Sequence, residues 1–358
     1  MNASERALLI ETIDRLFAGL VANGDAGNSK ESFRARWERV EEMGVGSLLV
    51  PESAGGLGGS FHDAALVAHR AALHAVSLPI LETLLSRRLL AQAGSDSVSG
   101  GASIACVASG GLDARSGSTA ANYSGVVREI PWGRNVDHVL LELRQGEQSL
   151  LLRLATADAC KRTLATNMAG EPRDTLEFRS APVRTNVVPD SAASLMGLGA
   201  LLCTAQIGGS LDCVLRQCIE HASGRSQFGR PLSQFQAIQH QIALLAEESA
   251  AVNCAALAAA RAAELGDAGF EIAAAKLRAN RAVGIATSIA HQVHGAIGCT
   301  QEHALHRATQ RLWSWRSEFG NDRHWALELG RRVARAGADA FWPTLTERGD
   351  RSGAPAEC

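Results

Sequence analysis

The sequence lacks an excess of charge of either sign. Its 35 Lys and Arg residues are balanced by 37 Asp and Glu residues, which gives a formal net charge of −2. Nucleic-acid-binding proteins usually carry a strongly basic face, so this balance argues against a nucleic-acid partner. The chain also lacks an uninterrupted apolar run of about 20 residues, the length that spans a bilayer. We therefore expect no membrane insertion.

Cysteine pairs, a secretion signal and a metal motif are missing as well. No two of the eight cysteines form a Cys-x-x-Cys pair, and the first residues lack the basic-then-apolar pattern of a signal peptide. Scattered cysteines in such a chain are typically reduced, buried side chains. We therefore predict a cytoplasmic protein. No metal site is expected, because no His-Glu-x-x-His motif and no suitable third ligand accompany His291, His294, His303 and His306.

The composition along the chain divides into zones. At 358 residues and 46% hydrophobic content, the chain exceeds the roughly 250–300 residues that one core supports. Apolar residues first recur at helical spacing, then occur in short β-branched runs between Ser, Thr and Gly clusters, and finally in long alanine-rich helical stretches. This order predicts a mainly α, α+β protein with a helical domain (1–95), a β domain (96–190), a C-terminal helical bundle (191–342) and a flexible tail (343–358).

The segment 224–240 combines an arginine with exposed aromatic residues. Guanidinium donors match phosphate oxygens in a fork geometry, and a phenylalanine face suits a purine. Arg225 and Phe228 therefore indicate an anion site beside a stacking surface. A helix predicted to begin at Arg230-Pro231 would add its unpaired amides. A turn whose arginine only caps a helix is an equally good interpretation of these residues alone.

The segment 290–303 ends a predicted long helix in small residues. Gly295, Ala296 and Gly298 let the backbone approach a ligand closely. Gln292 supplies a neutral amide that can pair with phosphate or ribose oxygens. The alternative is an ordinary helix C-cap followed by a loop.

Taken together, these segments resemble the acyl-CoA dehydrogenase family. Three motifs occur in the family's order, namely Arg225-x-Gln-Phe-Gly, Phe235-Gln-x-Ile-Gln and Gln292-x-x-Gly-x-x-Gly. The N-terminal Val50-Pro-Glu-x-x-Gly-Gly-Leu-Gly segment is also similar. The resemblance implies an N-terminal helical domain, a middle small β-barrel or sandwich and a C-terminal four-helix bundle.

The resemblance also implies FAD as cofactor and an acyl-CoA thioester as substrate. Family members remove a proton from Cα with a carboxylate while hydride leaves Cβ for the flavin, and they pass electrons to electron-transfer flavoprotein. By position, Arg225 would contact the FAD pyrophosphate and Phe228 the adenosine. The other matching positions, which would line the same cofactor across a subunit interface, are Gln227, Phe235, Gln292, Gly295 and Ala296.

The sequence departs from the family where the flavin ring and the catalytic base belong. Phe319 falls where the usual glutamate is expected, and Glu318 misses that place by one position. The alternative glutamate position of some members falls on Gly199, followed by Ala200. The stretch near 108–113, where a flavin-binding loop belongs, shows no match.

These departures are typical of the small, non-catalytic subunit of two-gene acyl-CoA dehydrogenases. Those enzymes are α2β2 heterotetramers that oxidise bulky thioesters such as sterol side chains, and the partner would supply the base. Two alternatives stay open at this point. One is a self-sufficient homotetrameric acyl-CoA dehydrogenase that uses Glu318. The other is a non-enzymatic homologue that binds acyl-CoA or acts as a scaffold.

Overall fold

The computed structural model describes residues 3–22, 32–94, 101–105, 107–114, 120–145, 148–188 and 194–351. The chain forms two compact units that divide between Gly199 and Ala200. The predicted order of helices, β-strands and helices is confirmed. The four domain boundaries that the composition indicates stay a prediction.

The first unit begins with four helices: α1 (Ala3–Ala22), α2 (Phe33–Glu42), α3 (Phe61–Leu73) and α4 (Ile80–Gln92). Short 3-10 turns at Val45–Ser47 and Glu52–Ala54 follow α2. Helix α3 starts in a capping box, in which the Ser60 and Asp63 side chains each accept the other's backbone N–H. Arg6 of α1 donates to the same Asp63 carboxylate at 2.7 Å, so one buried acid both caps α3 and holds α1.

A seven-stranded sheet follows the helices in the described chain, with strand order β1-β4-β5-β7-β3-β2 and β6 paired to β7. The β1–β4 pair is parallel, and the other pairs are antiparallel. Tyr123 and Phe178 are fully buried between the strands, with ring centroids 6.1 Å apart. The strand bounds are β1 (Ala102–Ala105), β2 (Val107–Ala114), β3 (Ala120–Pro131), β4 (His138–Gln145), β5 (Gln148–Ala155), β6 (Lys161–Thr163) and β7 (Arg173–Val188).

The stretch 108–113, where a flavin-binding loop of the family belongs, lies within strand β2. Each of its residues pairs with β3 in an unbroken antiparallel register from Val107 to Ala114. A regular ladder uses backbone N–H and C=O groups within the sheet. On that edge of β2 the backbone groups are therefore engaged with β3.

Long helices form the second unit. Helix α5 (Leu195–Gly224) runs into it across the division between the units. It is followed by α6 (Gln236–Glu264), α7 (Gly269–His294), α8 (Leu305–Ser317), α9 (Asp322–Ala336) and α10 (Ala338–Arg351). Two-residue strands β8 (Ser226–Gln227) and β9 (Arg230–Pro231) connect α5 to α6. A buried alanine- and valine-rich face holds these helices together, as in Val252, Ala256, Ala279, Val283 and Ala286.

Several expectations differ from the structure. The helix expected from Arg230-Pro231 begins instead at Gln236, because Arg230 pairs with Gln227 in a hairpin. The flexible tail expected from residue 343 contains the helix α10, which continues through Pro343 to Arg351; residues 352–358 lie outside the described chain. Cys203, Cys213 and Cys218 are buried as expected, whereas Cys160, Cys254 and Cys299 are exposed. Cys106 and Cys358 fall outside the described residues.

Two helices are long and apolar enough to span a membrane by length and composition alone, although no single apolar run is that long. The most apolar part of α5 is 83% buried inside the protein, as expected of a core helix. The corresponding part of α6 is only 28% buried. Helix α6 therefore carries an apolar surface that the described residues leave uncovered.

Candidate functional site

A tight hairpin shapes the segment that carries Arg225 and Phe228. Strands β8 and β9 pair through Ser226 with Pro231 and Gln227 with Arg230. The two residues between them, Phe228 and Gly229, both have positive φ, at 52° and 79°, which is the geometry of a two-residue hairpin turn whose twist suits the strands. The turn leaves Phe228 at its tip with 91% of its surface exposed.

The neighbouring aromatic residue gives the hairpin a second flat face. Phe235 lies 6.3 Å from Phe228 between ring centroids in an edge-to-face arrangement. The Arg230 guanidinium stacks over the Phe235 ring at 4.1 Å. The chain therefore presents an exposed aromatic ring beside a cation-covered one, and neither ring is buried in the core of the second unit.

Arg225 lies where helix α5 ends. Its backbone N–H donates to the His221 carbonyl at 2.9 Å, and its carbonyl accepts from Leu232 at 2.8 Å. The backbone is thereby fixed while the guanidinium stays exposed. Among the described residues no carboxylate forms an ion pair with this guanidinium, so its positive charge is available to an anion.

Gln292 and the glycines that follow it lie at the other edge of the site. Helix α7 ends at His294, and Gly295 follows with φ 65° and ψ −147°, a conformation that side-chain-bearing residues avoid. Gly298 is buried in the following turn, where an added Cβ would lie 2.8 Å from the His294 Cβ. The first glycine of the Gln-x-x-Gly-x-x-Gly motif is therefore required by its backbone conformation. The second is required because there is no space for a side chain.

A cavity of about 720 Å³ brings these segments together. Its lining includes five of the seven residues predicted from the sequence to bind cofactor: Arg225, Gln227, Gln292, Gly295 and Ala296. The other two do not line it, since Phe228 lies at the tip of the hairpin and Phe235 lies directly before α6. Its size is typical of small-molecule and cofactor sites, which span roughly 300–1,000 Å³.

Three histidines meet beside this cavity. His221 of α5, His294 at the end of α7 and His303 before α8 have ring nitrogens within 4.8 Å of one another. Burial lowers the pKa of His221, and the charges of His303 and Arg225 lower it further. Burial also lowers the pKa of His294, against the opposing effect of its hydrogen bond to the Ala290 carbonyl. Both rings are therefore neutral at neutral pH.

The sequence analysis missed the part of the cavity wall that His221 and His294 form. The expectation of no metal site considered only His291, His294, His303 and His306, and it stays a prediction. His221 brings a third imidazole to His294 and His303. It lies in the last turn of α5, four positions before Arg225, whose N–H donates to the His221 carbonyl, so the two residues share a face. That spacing was the available signal.

Glu318 lies at the end of helix α8 and does not line the cavity. It is half-buried, and its negative charge raises the pKa of Lys276 against the larger lowering that burial causes. Phe319 and Gly320 follow in left-handed conformations, with φ of 52° and 98°. Gly199 and Ala200, the alternative position for a base, lie inside helix α5, where neither carries an acidic group.

Comparison with known proteins agrees with this architecture. Residues 190–333 match the family described as acyl-CoA dehydrogenase, C-terminal domain. The chain is 28% identical over 316 residues to acyl-CoA dehydrogenase IpdE2 of Mycobacterium tuberculosis, covering 84% of this chain and 89% of that protein. It is 27% identical over 308 residues to acyl-CoA dehydrogenase FadE34 of the same organism, covering 84% of this chain and 42% of that longer protein.

Solved structures share the fold. A Tcur3481–Tcur3483 steroid ACAD variant has a TM-score of 0.82 at 20% identity, covering 93% of this chain and 98% of that one. The ChsE4–ChsE5 complex of Mycobacterium tuberculosis has a TM-score of 0.80 at 20% identity, with 94% and 99% covered. The fold and the C-terminal domain thus define an acyl-CoA dehydrogenase-like protein. The chain is thus similar to acyl-CoA dehydrogenases in fold, and residues 190–333 match the C-terminal domain of that family.

Proposed function

We propose that this chain is the subunit of an FAD-dependent acyl-CoA dehydrogenase that completes a shared FAD site without supplying the catalytic base. The observation that carries the proposal is the cavity in which Arg225, Gln227, Gln292, Gly295 and Ala296 converge. It holds an exposed cation, neutral amides and a close backbone approach, which are the groups that a nucleotide diphosphate requires. The residues therefore fit the ADP half of FAD.

In this proposal each group of the chain has a distinct task. The Arg225 guanidinium pairs with pyrophosphate oxygens in a bidentate arrangement. The Gln292 amide bonds phosphate or ribose oxygens, and Gly295 leaves room for the ligand against the backbone. Phe228 offers its exposed face to the adenosine. The bound FAD would accept the hydride from Cβ of the thioester.

The catalytic carboxylate comes from a partner chain in this proposal. A general base must reach the Cα proton at roughly 3 Å. Gly199, Ala200 and Phe319 occupy the positions where family members carry that base, and none of them can accept a proton. The partner would also supply the flavin-ring contacts that the sequence of the β domain lacks.

The partner we propose is a homologous catalytic subunit in an α2β2 heterotetramer. The similarity to the ChsE4–ChsE5 complex, which joins two different chains, supports this arrangement. The similarity to a steroid ACAD supports a bulky or sterol-type acyl-CoA as substrate. By family resemblance, electron-transfer flavoprotein would be the electron acceptor and the cytoplasm the location.

The FAD content of defined complexes tests the proposal. The chain is expressed alone and together with the acyl-CoA dehydrogenase-family chain of the neighbouring gene, and the visible spectrum and mass of each product are recorded. We expect a colourless lone chain and a yellow heterotetramer with one FAD per pair of chains. Arg225→Ala should lower the FAD content of the complex at least about tenfold, because a charge-assisted bond to pyrophosphate is lost.

Arg335→Ala is the matched control, since Arg335 is an equally exposed arginine on α9 that does not line the cavity. It should leave the FAD content unchanged. Full FAD loading of the lone chain would overturn the shared site and favour a self-sufficient enzyme. A complex that binds acyl-CoA but no FAD would favour the non-enzymatic scaffold.

A further inference from the structure

The three histidines beside the cavity form a compact cluster from three separate elements. His294 stacks on His221 with ring centroids 4.5 Å apart, and His303 approaches His294 edge-on at 4.8 Å. The nitrogen atoms that the three rings offer all lie within 4.8 Å of one another. Helix α5, the end of α7 and the turn before α8 therefore bring three imidazoles to one point.

One nitrogen of this cluster has no hydrogen-bond partner. His294 is only 5% exposed, and its Nδ1 lies 2.9 Å from the Ala290 carbonyl. A carbonyl only accepts, so Nδ1 carries the proton and Nε2 holds a bare lone pair. In the described part of the chain nothing donates to Nε2. An anion does not satisfy a lone pair, whereas a metal cation does.

We propose that His221, His294 and His303 bind one divalent transition-metal ion, with zinc as the representative of the class. Three imidazole ligands suit Zn²⁺, Co²⁺, Ni²⁺ or Cu²⁺, while Mg²⁺ and Ca²⁺ require oxygen ligands. The bond from His294 Nδ1 to a backbone carbonyl is the outer contact that metal-binding histidines usually make. His221 and His294 also line the cavity, so a fourth ligand reaches the ion from there.

The charged groups around the cluster have opposite effects on the binding of a cation. The Arg225 charge that lowers the pKa of His221 opposes a cation, and the Glu220 carboxylate at the cavity wall favours one. The Cys218 sulfur lies 3.9 Å from His294 Nδ1, the nitrogen that is bonded to the Ala290 carbonyl. It therefore lies beside the nitrogen opposite the free Nε2, and the proposed ligands are the three imidazoles.

His303 must either give up a hydrogen bond or move its ring hydrogen before it can bind the ion. Its Nδ1 accepts the Leu305 N–H at 3.1 Å, so the hydrogen of a neutral His303 lies on Nε2. Binding through Nδ1 gives up the Leu305 bond, and binding through Nε2 moves the ring hydrogen to Nδ1. His221 and His294 bind without such an exchange. The site needs neither FAD nor a partner chain, so it goes beyond the proposed function.

Metal titration of the full chain tests the site. The purified lone chain is treated with a chelator, dialysed and titrated with Zn²⁺ by calorimetry and with Co²⁺ by visible absorption. We expect one ion per chain and cobalt absorption of a four-coordinate nitrogen site. His294→Ala should weaken binding by about 100-fold or more, because even the loss of an outer contact costs roughly 10–100-fold.

Two further variants make the test decisive. His221→Ala removes a half-buried ring, whereas His294→Ala removes a buried one. His221→Ala therefore keeps the test valid even if His294→Ala fails to fold. It should weaken metal binding as much as His294→Ala does. His240→Ala removes an exposed histidine of α6 outside the cluster and should change nothing. Circular dichroism verifies the fold of each variant. No stoichiometric binding, or binding that survives both cluster variants, would overturn the site.

Discussion

Glu318 and Phe319 lie in a turn whose register is fixed from both sides. The fully buried Lys276 Nζ donates to the Trp315 carbonyl at 2.9 Å, and the Asn280 amide donates to the Gly320 carbonyl at 3.2 Å. A slip of one residue, which would move Glu318 into the place of Phe319, would break both bonds and leave buried polar groups unsatisfied. These two bonds therefore hold Glu318 and Phe319 in their observed register.

A charge-neutral substitution tests this residue. In the reconstituted complex, Glu318→Gln should keep activity within about twofold of the unsubstituted complex, because Glu318 is not the base in the proposed function. Loss of a general base would instead lower activity roughly a hundredfold or more. The turnover of an acyl-CoA with an artificial electron acceptor is measured at saturating substrate. FAD content is measured in parallel, so that a change in assembly is distinguished from a change in chemistry.

Glu328→Gln is the control for Glu318→Gln, because it also removes one carboxylate from the second unit. Glu328 forms a partly exposed ion pair with Arg332 within α9, so its loss should leave turnover unchanged. A hundredfold loss confined to Glu318→Gln would contradict the shared-site proposal and make Glu318 the base.

At the scale of elements, the existence of the long helices was predictable from the sequence, whereas the start of α6 was not. The alanine-rich periodic stretches of α6 and α7 and the glycine after His294 follow rules that are local in sequence. Strand β3 has no clear signal in the sequence, because its first half, Ala-Ala-Asn-Tyr-Ser-Gly, contains no β-branched residue. Its register shifts twice against β7, and partners distant in sequence decide such pairing rather than β-propensity.

The hairpin after Arg225 shows the same limit. Arg230-Pro231 has the sequence of a helix start, since proline is favoured in the first turn of a helix. The structure pairs Arg230 with Gln227, which places a phenylalanine in a left-handed turn position. Phenylalanine rarely adopts that conformation, so no local rule predicts the turn. The approach of His221 to His303 is non-local as well, because 82 positions of sequence separate them.

The capping box of α3 makes a prediction about pH. Burial alone would raise the pKa of Asp63, but hydrogen bonds from Ser60 and Arg6 outweigh it and lower the pKa. A lowered carboxyl pKa contributes stability above the unfolded value, and the contribution is lost as pH falls through the folded value. Asp63→Asn should therefore destabilise the protein by about 1–3 kcal/mol near pH 7, and the difference should shrink near pH 3 and below.

Urea denaturation followed by circular dichroism at both pH values measures this difference. Glu11→Gln is the matched control, because Glu11 forms an exposed ion pair with Arg15 on α1. Exposed pairs contribute roughly 0–1 kcal/mol, so that variant should change little. An Asp63→Asn effect of the same size at both pH values would show that the carboxylate charge makes no contribution.

At the scale of the whole molecule, helix α6 has an uncovered face that a single chain does not account for. Its exposed stripe consists mostly of small residues, Ala243, Ala250, Cys254 and Ala258, with Glu247 as its charged member. Small side chains let another helix approach closely. Since only 28% of its most apolar part is buried within the chain, the proposed catalytic subunit would cover this face, and the lone chain would expose it.

A charge placed on this face tests the assembly. Leu244 lies on α6 with 39% of its surface exposed. Leu244→Asp should weaken association with the catalytic subunit roughly 100-fold, equivalent to about 3 kcal/mol, because a carboxylate without a partner is costly to bury. Leu164→Asp, at an exposed leucine of the first unit, should assemble normally. Analytical ultracentrifugation of each variant with the partner measures the association. Unchanged assembly of Leu244→Asp would exclude α6 from the interface. If the α6 contact with the catalytic subunit also completes the shared FAD site, the FAD content should fall together with assembly.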